Sequence, residues 1–204
     1  MKTSRIFKYL LGLSLIEAFF LTTSSIAFFP RINEPSQQEL ESTSIQIGET
    51  AKQLIKFGQY KEAIKILNLA LRLNPKEENL WMALPEAQFK AKDSDRALLS
   101  LDKALVINPK NASIYFTKGS IYMNLKHLEN AISMLNQGLL LDNKNETGYF
   151  QLGNAYIMLK EYTKALDTYN KVTKLNPNFW QVINNQGLIL YEINKEKRPF
   201  QNSN

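Results

Sequence analysis

The stretch "NETGYFQLGNAYIMLKEYTKALDTYNKVTKLNP", Asn145 to Pro177, decides the fold. Its aromatic, Leu, Gly and Ala residues stand at offsets that neither one amphipathic helix nor an alternating strand explains. Its last three residues supply a ruler. "LNP" also occurs at Leu73 to Pro75, "INP" at Ile107 to Pro109, and "LDN" at Leu141 to Asn143, so four copies fall 34 residues apart, with Asn143 replacing proline in one. Self-similarity at a fixed period of roughly 20 to 50 residues is the signature of a repeat architecture built from stacked supersecondary units.

In the quoted copy Tyr149, Leu152, Gly153 and Tyr156 are followed by Ala165, Tyr169, Val172 and Pro177. One period earlier stand Tyr115, Gly119, Tyr122, Ala131, Leu135 and Gly138, with Lys118 in place of the leucine. The copy before that has Trp81, Leu84, Ala97, Leu101, Ala104 and Pro109, but Pro85 at the small position and Gln88 at the aromatic one. The first has Ile47, Ala51, Leu54, Ala63, Leu67, Ala70 and Pro75, and a fifth opens at Trp180 with Ile183, Gly187 and Leu190. This pattern resembles the tetratricopeptide repeat family, whose unit carries W-x2-L-G-x2-Y, then A-x3-F-x2-A, then Pro.

The resemblance implies an all-α fold, a right-handed superhelical solenoid of antiparallel helix pairs with a concave groove. The residue types agree physically. Small Gly119, Gly153, Ala131 and Ala165 let two helices approach closely, and Tyr122, Tyr156, Leu135 and Tyr169 fill the space between them. Pro85, inside a helix, is expected to kink it or to cost about 3 kcal/mol. The expected organisation is an N-terminal segment 1–29, a polar spacer 30–43, repeats at 44–77, 78–111, 112–145 and 146–179, a terminal helix 180–195 and a tail 196–204.

The N-terminal segment, "MKTSRIFKYLLGLSLIEAFFLTTSSIAFF", places Lys2, Arg5 and Lys8 before an apolar stretch from Tyr9 to Phe29. That order reads as a targeting signal. As a helix, Tyr9 to Phe29 would span roughly 31 Å, enough to cross a bilayer core, although Glu17 at its middle costs about 3 kcal/mol on insertion. Ser25-Ile26-Ala27 offers a small-x-small cleavage pattern, so a cleaved signal peptide, a membrane anchor and a core helix all stay open. The charge bias keeps the N-terminus cytoplasmic and sends the repeats to the periplasmic or lumenal side of the cytoplasmic or thylakoid membrane.

The formal net charge of +6 is spread along the chain without a run of five basic residues, which argues against a nucleic-acid surface. No cysteine is present and the single histidine is His127, expected in an exposed turn. Without a second histidine or a spaced carboxylate cluster, neither a metal site nor a nucleophile–base pair can be assembled from these residues. The sequence therefore points to no enzyme, no catalytic or metal-binding residue and no cofactor.

The resemblance places the first helix of each repeat along the groove, and so nominates Met82, Phe89, Phe116, Ser120, Met123, Phe150, Asn154, Ile157 and Asn184 as peptide-binding residues. Met and Phe side chains suit an amphipathic or extended partner segment. The same stripe also fits an intramolecular core. A subset of the family grips the C-terminal carboxylate of chaperones with Lys and Asn pairs; here those positions hold Gly48, Lys52, Ser113 and Thr117, so that clamp is not expected.

These readings converge on a non-catalytic protein-interaction scaffold with protein or peptide partners. "FWQVINNQGLILYE" and "LWMALPEAQ" look similar to cyanobacterial exported or membrane-tethered repeat proteins, which implies an assembly factor for a membrane complex such as a photosystem. The alternative is a structural repeat protein that binds only itself. Ile183, Leu188, Ile189, Leu190, Tyr191 and Ile193 are too many apolar groups for one buried face of the terminal helix, so its edge is expected to form homo-oligomers.

Overall fold

The computed structural model describes residues 35–197, with side chains to residue 195. The expected signal or anchor at 1–29 lies outside the described residues. Among the described residues there are nine helices and no strand: α1 Gln37–Lys56, α2 Tyr60–Leu73, α3 Glu78–Lys90, α4 Ser94–Ile107, α5 Ala112–Asn124, α6 Leu128–Leu141, α7 Glu146–Met158, α8 Tyr162–Leu175 and α9 Trp180–Lys197. The all-α class that the tetratricopeptide resemblance implies is thus the observed one.

Each turn repeats a backbone device. Gly58, Lys92, Lys126 and Lys160, one period apart, adopt positive φ of 75°, 68°, 64° and 60° just after the first helix of each pair. The left-handed residue reverses the chain and lets the following amides bond back to the helix end, as Lys160 N does to the Ile157 carbonyl at 2.8 Å and Glu161 N to that of Tyr156 at 2.9 Å. At the other turn the Asn or Asp of the "LNP" ruler accepts from the amide two residues on. Asn74, Asn108, Asp142 and Asn176 do so at 3.3, 3.3, 3.4 and 3.1 Å. The side chain thereby mimics a backbone turn.

The chain divides into two compact units, Met1–Asp93 and Ser94–Asn204, with the division falling between the two helices of the second repeat. In the first unit, α1, α2 and α3 enclose Ala51, Ala63, Leu67, Ala70, Leu80, Leu84 and Ala87. Leu67 is fully buried, which stabilises by about 1.5–3 kcal/mol. The helix α1 begins inside the stretch expected to be a polar spacer. Ser36 and Glu39 form a capping box there, with Glu39 N donating to Ser36 Oγ at 3.3 Å and Ser36 N to Glu39 Oε2 at 3.0 Å, so "SQQELESTS" starts a helix instead of preceding one. Helix α3 runs through Pro85 without ending, and its ring is fully buried.

The second unit contains α4 to α9. Two core clusters run through it, one built on Phe116, Leu135, Leu139, Leu152 and Ala155, the other on Ala165, Tyr169, Val172, Val182 and Ile189. Leu135 and Tyr169 are fully buried, as their interhelical role requires, whereas Tyr122 and Tyr156 are half-buried. A Cβ on Gly119 would come 2.7 Å from Leu135 Cγ, so only glycine permits that spacing of α5 and α6. The corresponding Gly187 on α9 has nothing within 4 Å of such a Cβ. Lys118, at the leucine position, is also buried and pairs through Nζ with Asp102 Oδ1 on α4.

Candidate peptide-binding site

The nine nominated residues fall in both units. Met82 and Phe89 lie half-buried on α3 in the first. In the second, Ser120 and Met123 are half-buried on α5, and Phe150, Asn154 and Ile157 are half-buried on α7.

Phe116 stands apart. Only 8% of it is exposed, and a Cβ on either Gly138 or Gly148 would strike its ring, at 2.5 and 2.6 Å from Cε1. It packs between α6 and α7 and is a core residue, which corrects its nomination as groove lining. The glycines decide this, because they open a slot into which the ring turns. Asn184, the ninth, is exposed on α9 and does not line the pocket described next.

A pocket of about 390 Å³ opens between α7 and α9, with the start of α8 at its side. Its apolar walls are Ile157 and Met158 from α7 and Leu188 and Ile189 from α9. Asn154, Asn185, Tyr162 and Glu192 supply the polar groups. Phe150 lies outside the pocket lining, stacked on Tyr169 at 6.1 Å and packed against Phe179 at 5.2 Å.

Asn154 and Asn185 are held by the phenol of Tyr169. The Tyr169 hydroxyl donates to Asn154 Oδ1, and Asn185 Nδ2 donates to the Tyr169 oxygen at 3.0 Å and to Asn154 Oδ1 at 3.4 Å. Burial pushes the Tyr169 phenol above its ordinary value, while the bond from Asn185 pulls it back in part. The network fixes the orientation of both amides and engages one end of each. Asn154 Nδ2, a donor, and Asn185 Oδ1, an acceptor, take no part in this network, and both residues line the pocket. That pair can bond to the carbonyl and amide of a peptide backbone.

Of the nominated residues Asn154 and Ile157 line this pocket, and Asn185, Leu188 and Glu192, which line it too, were not among those nominated. Leu188 was legible only as surplus apolar area on the terminal helix. His127 is exposed at the start of α6, stacked on Tyr122 at 6.3 Å, and no group of three His, Cys, Asp or Glu residues among the described residues could hold a metal ion.

Family models described as tetratricopeptide repeat match residues 54–115, 112–145 and 147–179. The chain belongs to the tetratricopeptide repeat family. No curated protein matches it in sequence. Among solved tetratricopeptide-like structures, MamA from Desulfovibrio magneticus RS-1 is 19% identical with a TM-score of 0.66, covering 76% of this chain and 87% of that one. PilF of Pseudomonas aeruginosa is 22% identical with a TM-score of 0.66, over 78% of this chain and 71% of that one. YrrB, described as a TPR protein with an unusual peptide-binding site, is 20% identical with a TM-score of 0.59, over 76% and 80%. At these identities the likeness speaks for the tetratricopeptide fold alone.

Proposed function

We propose that this tetratricopeptide repeat protein is a non-catalytic interaction module that takes a peptide segment of a partner protein against α7 and α9. The observation that carries the reading is the pocket lined by Asn154 and Asn185, whose Nδ2 and Oδ1 respectively stay outside the Tyr169 network, beside apolar Ile157, Met158, Leu188 and Ile189. Peptide binding by YrrB supports it by analogy. The absence of Lys and Asn at positions 48, 52, 113 and 117 of the clamp set, apart from Lys52, argues for an internal segment and not a terminal carboxylate. A photo-crosslinking residue at position 157 should trap a discrete partner in cells, whereas the same group at exposed position 99 on α4 should not. Equal labelling from both positions would overturn the reading.

The finer reading is assembly of a membrane complex on the far side of a cytoplasmic or thylakoid membrane, motivated by the charged-then-apolar order of residues 1–29. Among the described residues no helix is long and apolar enough to cross a membrane. A reporter active only outside the cytoplasm, fused after Asn204, should be active; activity confined to a cytoplasmic reporter would refute export.

Self-association is a second reading, favoured by one observation. Ile183 and Leu190 are 49% and 51% exposed on either side of Gly187, whose face is open where the matching Gly119 meets Leu135. Such a surface suits a helix laid across it. Sedimentation at about 100 μM should show a concentration-dependent dimer weakened by Leu190→Lys, and a monomer at that concentration would refute it.

A further inference from the structure

Among the described residues, the lining of the pocket between α7 and α9 holds one carboxylate, Glu192, and no basic residue. Glu192 makes no ion pair with the described residues. We infer that the pocket selects a basic side chain, arginine or lysine, from the bound peptide segment. The inference rests on the peptide-binding reading above and names what that segment must carry.

The chemistry follows from the placement of the groups. A long basic side chain has an apolar stem and a charged tip, and lowers its free energy by laying the stem on apolar surface while the tip finds acceptors. Ile157, Leu188 and Ile189 offer that surface. Glu192 offers a carboxylate and Asn185 its uncommitted Oδ1, both acceptors for N–H groups. A guanidinium or ammonium has only donors, which both kinds of acceptor can take, and it leaves Asn154 Nδ2 to the carbonyl of the ligand backbone. An acidic side chain would bring a second carboxylate beside Glu192, and an aliphatic one would offer neither acceptor a donor. A pocket of about 390 Å³ lies at the small end of ligand pockets, which suits one long side chain with its adjoining backbone.

Fluorescein-labelled peptides of sequence acetyl-Gly-Ser-Phe-Xaa-Leu-Ser-Gly-amide, with Xaa as arginine, lysine, norleucine or glutamate, test this by anisotropy with the full chain. The arginine and lysine peptides should bind at least tenfold more tightly than norleucine, with glutamate weakest. Glu192→Gln should reduce the preference for arginine over norleucine to about threefold or less, and Glu192→Lys should place glutamate above arginine. Melting curves of both variants should match the parent chain, since substitutions at exposed or half-exposed positions usually leave stability nearly unchanged. Equal binding of the arginine and norleucine peptides overturns the inference and leaves the peptide-binding reading standing. A preference unaffected by Glu192→Gln also overturns it. Failure of all four peptides overturns the inference, and failure of the crosslinking experiment as well overturns the peptide-binding reading.

Discussion

Lys118 stands where the repeat carries leucine, and its ammonium reaches the carboxylate of Asp102 on the preceding helix. The lysine side chain is 10% exposed and the aspartate 56%, so the pair is buried at one end and wet at the other. Removing the carboxylate strands a buried cation, whereas replacing the lysine with the family's leucine removes the need for a partner. Asp102→Ala should therefore destabilise by about 1–2 kcal/mol, and Lys118→Leu should be neutral or stabilising by about 1 kcal/mol, in urea unfolding. A large loss with Lys118→Leu would mean that the pair orients the helices.

Phe116 provides the second prediction. Its ring fills the slot between Gly138 and Gly148, so Phe116→Ala should cost about 3–5 kcal/mol by lost burial and an unfilled cavity. Asn184→Ala, on an exposed position, should change stability by no more than about 0.5 kcal/mol. Thermal melts of the two variants distinguish core from surface.

The left-handed lysines carry a third. Lys126 and Lys160 hold φ of 64° and 60°, where a side chain costs roughly 1–2 kcal/mol and glycine costs nothing sterically. Glycine gives some of this back through the greater entropy of the unfolded chain. Lys126→Gly and Lys160→Gly should each raise stability by about 0.5–1 kcal/mol, and a β-branched residue at either position should lower it.

The fourth concerns alkaline pH. Burial raises the phenol of Tyr169 in the folded state, so the folded chain holds that proton more tightly than the unfolded chain does. The associated stability is fully present below the unfolded tyrosine value of about 10 and is lost as pH rises through the higher folded value. Denaturant midpoints should fall above about pH 10, and Tyr169→Phe should flatten that fall while lowering stability at neutral pH, since it strips the Asn154 and Asn185 amides of their shared partner.

The sequence by itself determined the repeat. The 34-residue recurrence of "LNP" and its variants sets where helices end, because the Asn or Asp closes a local turn and the proline that follows in three of the four copies cannot continue a helix. Tyr169, Leu135 and the small residues facing them were legible for the same reason: one short-range pattern, repeated, specifies helix pairs. The start of α1 was legible too, since Ser36 and Glu39 have capping-box spacing, but the polar composition of that stretch obscured it.

Tertiary structure decided which apolar and amide side chains stay available for a ligand. Phe116 and Phe150 occupy the same register of successive repeats, yet only Phe116 is buried, because Gly138 and Gly148 on two other helices make room for its ring. Asn185 enters the site in place of its neighbour Asn184 because the phenol of Tyr169, 16 residues away, binds it. Glu192 became part of a pocket only when α9 lay beside α7. Periodicity is a property of one helix pair and can be read along the chain, whereas the space left between helices depends on the side chains of all of them.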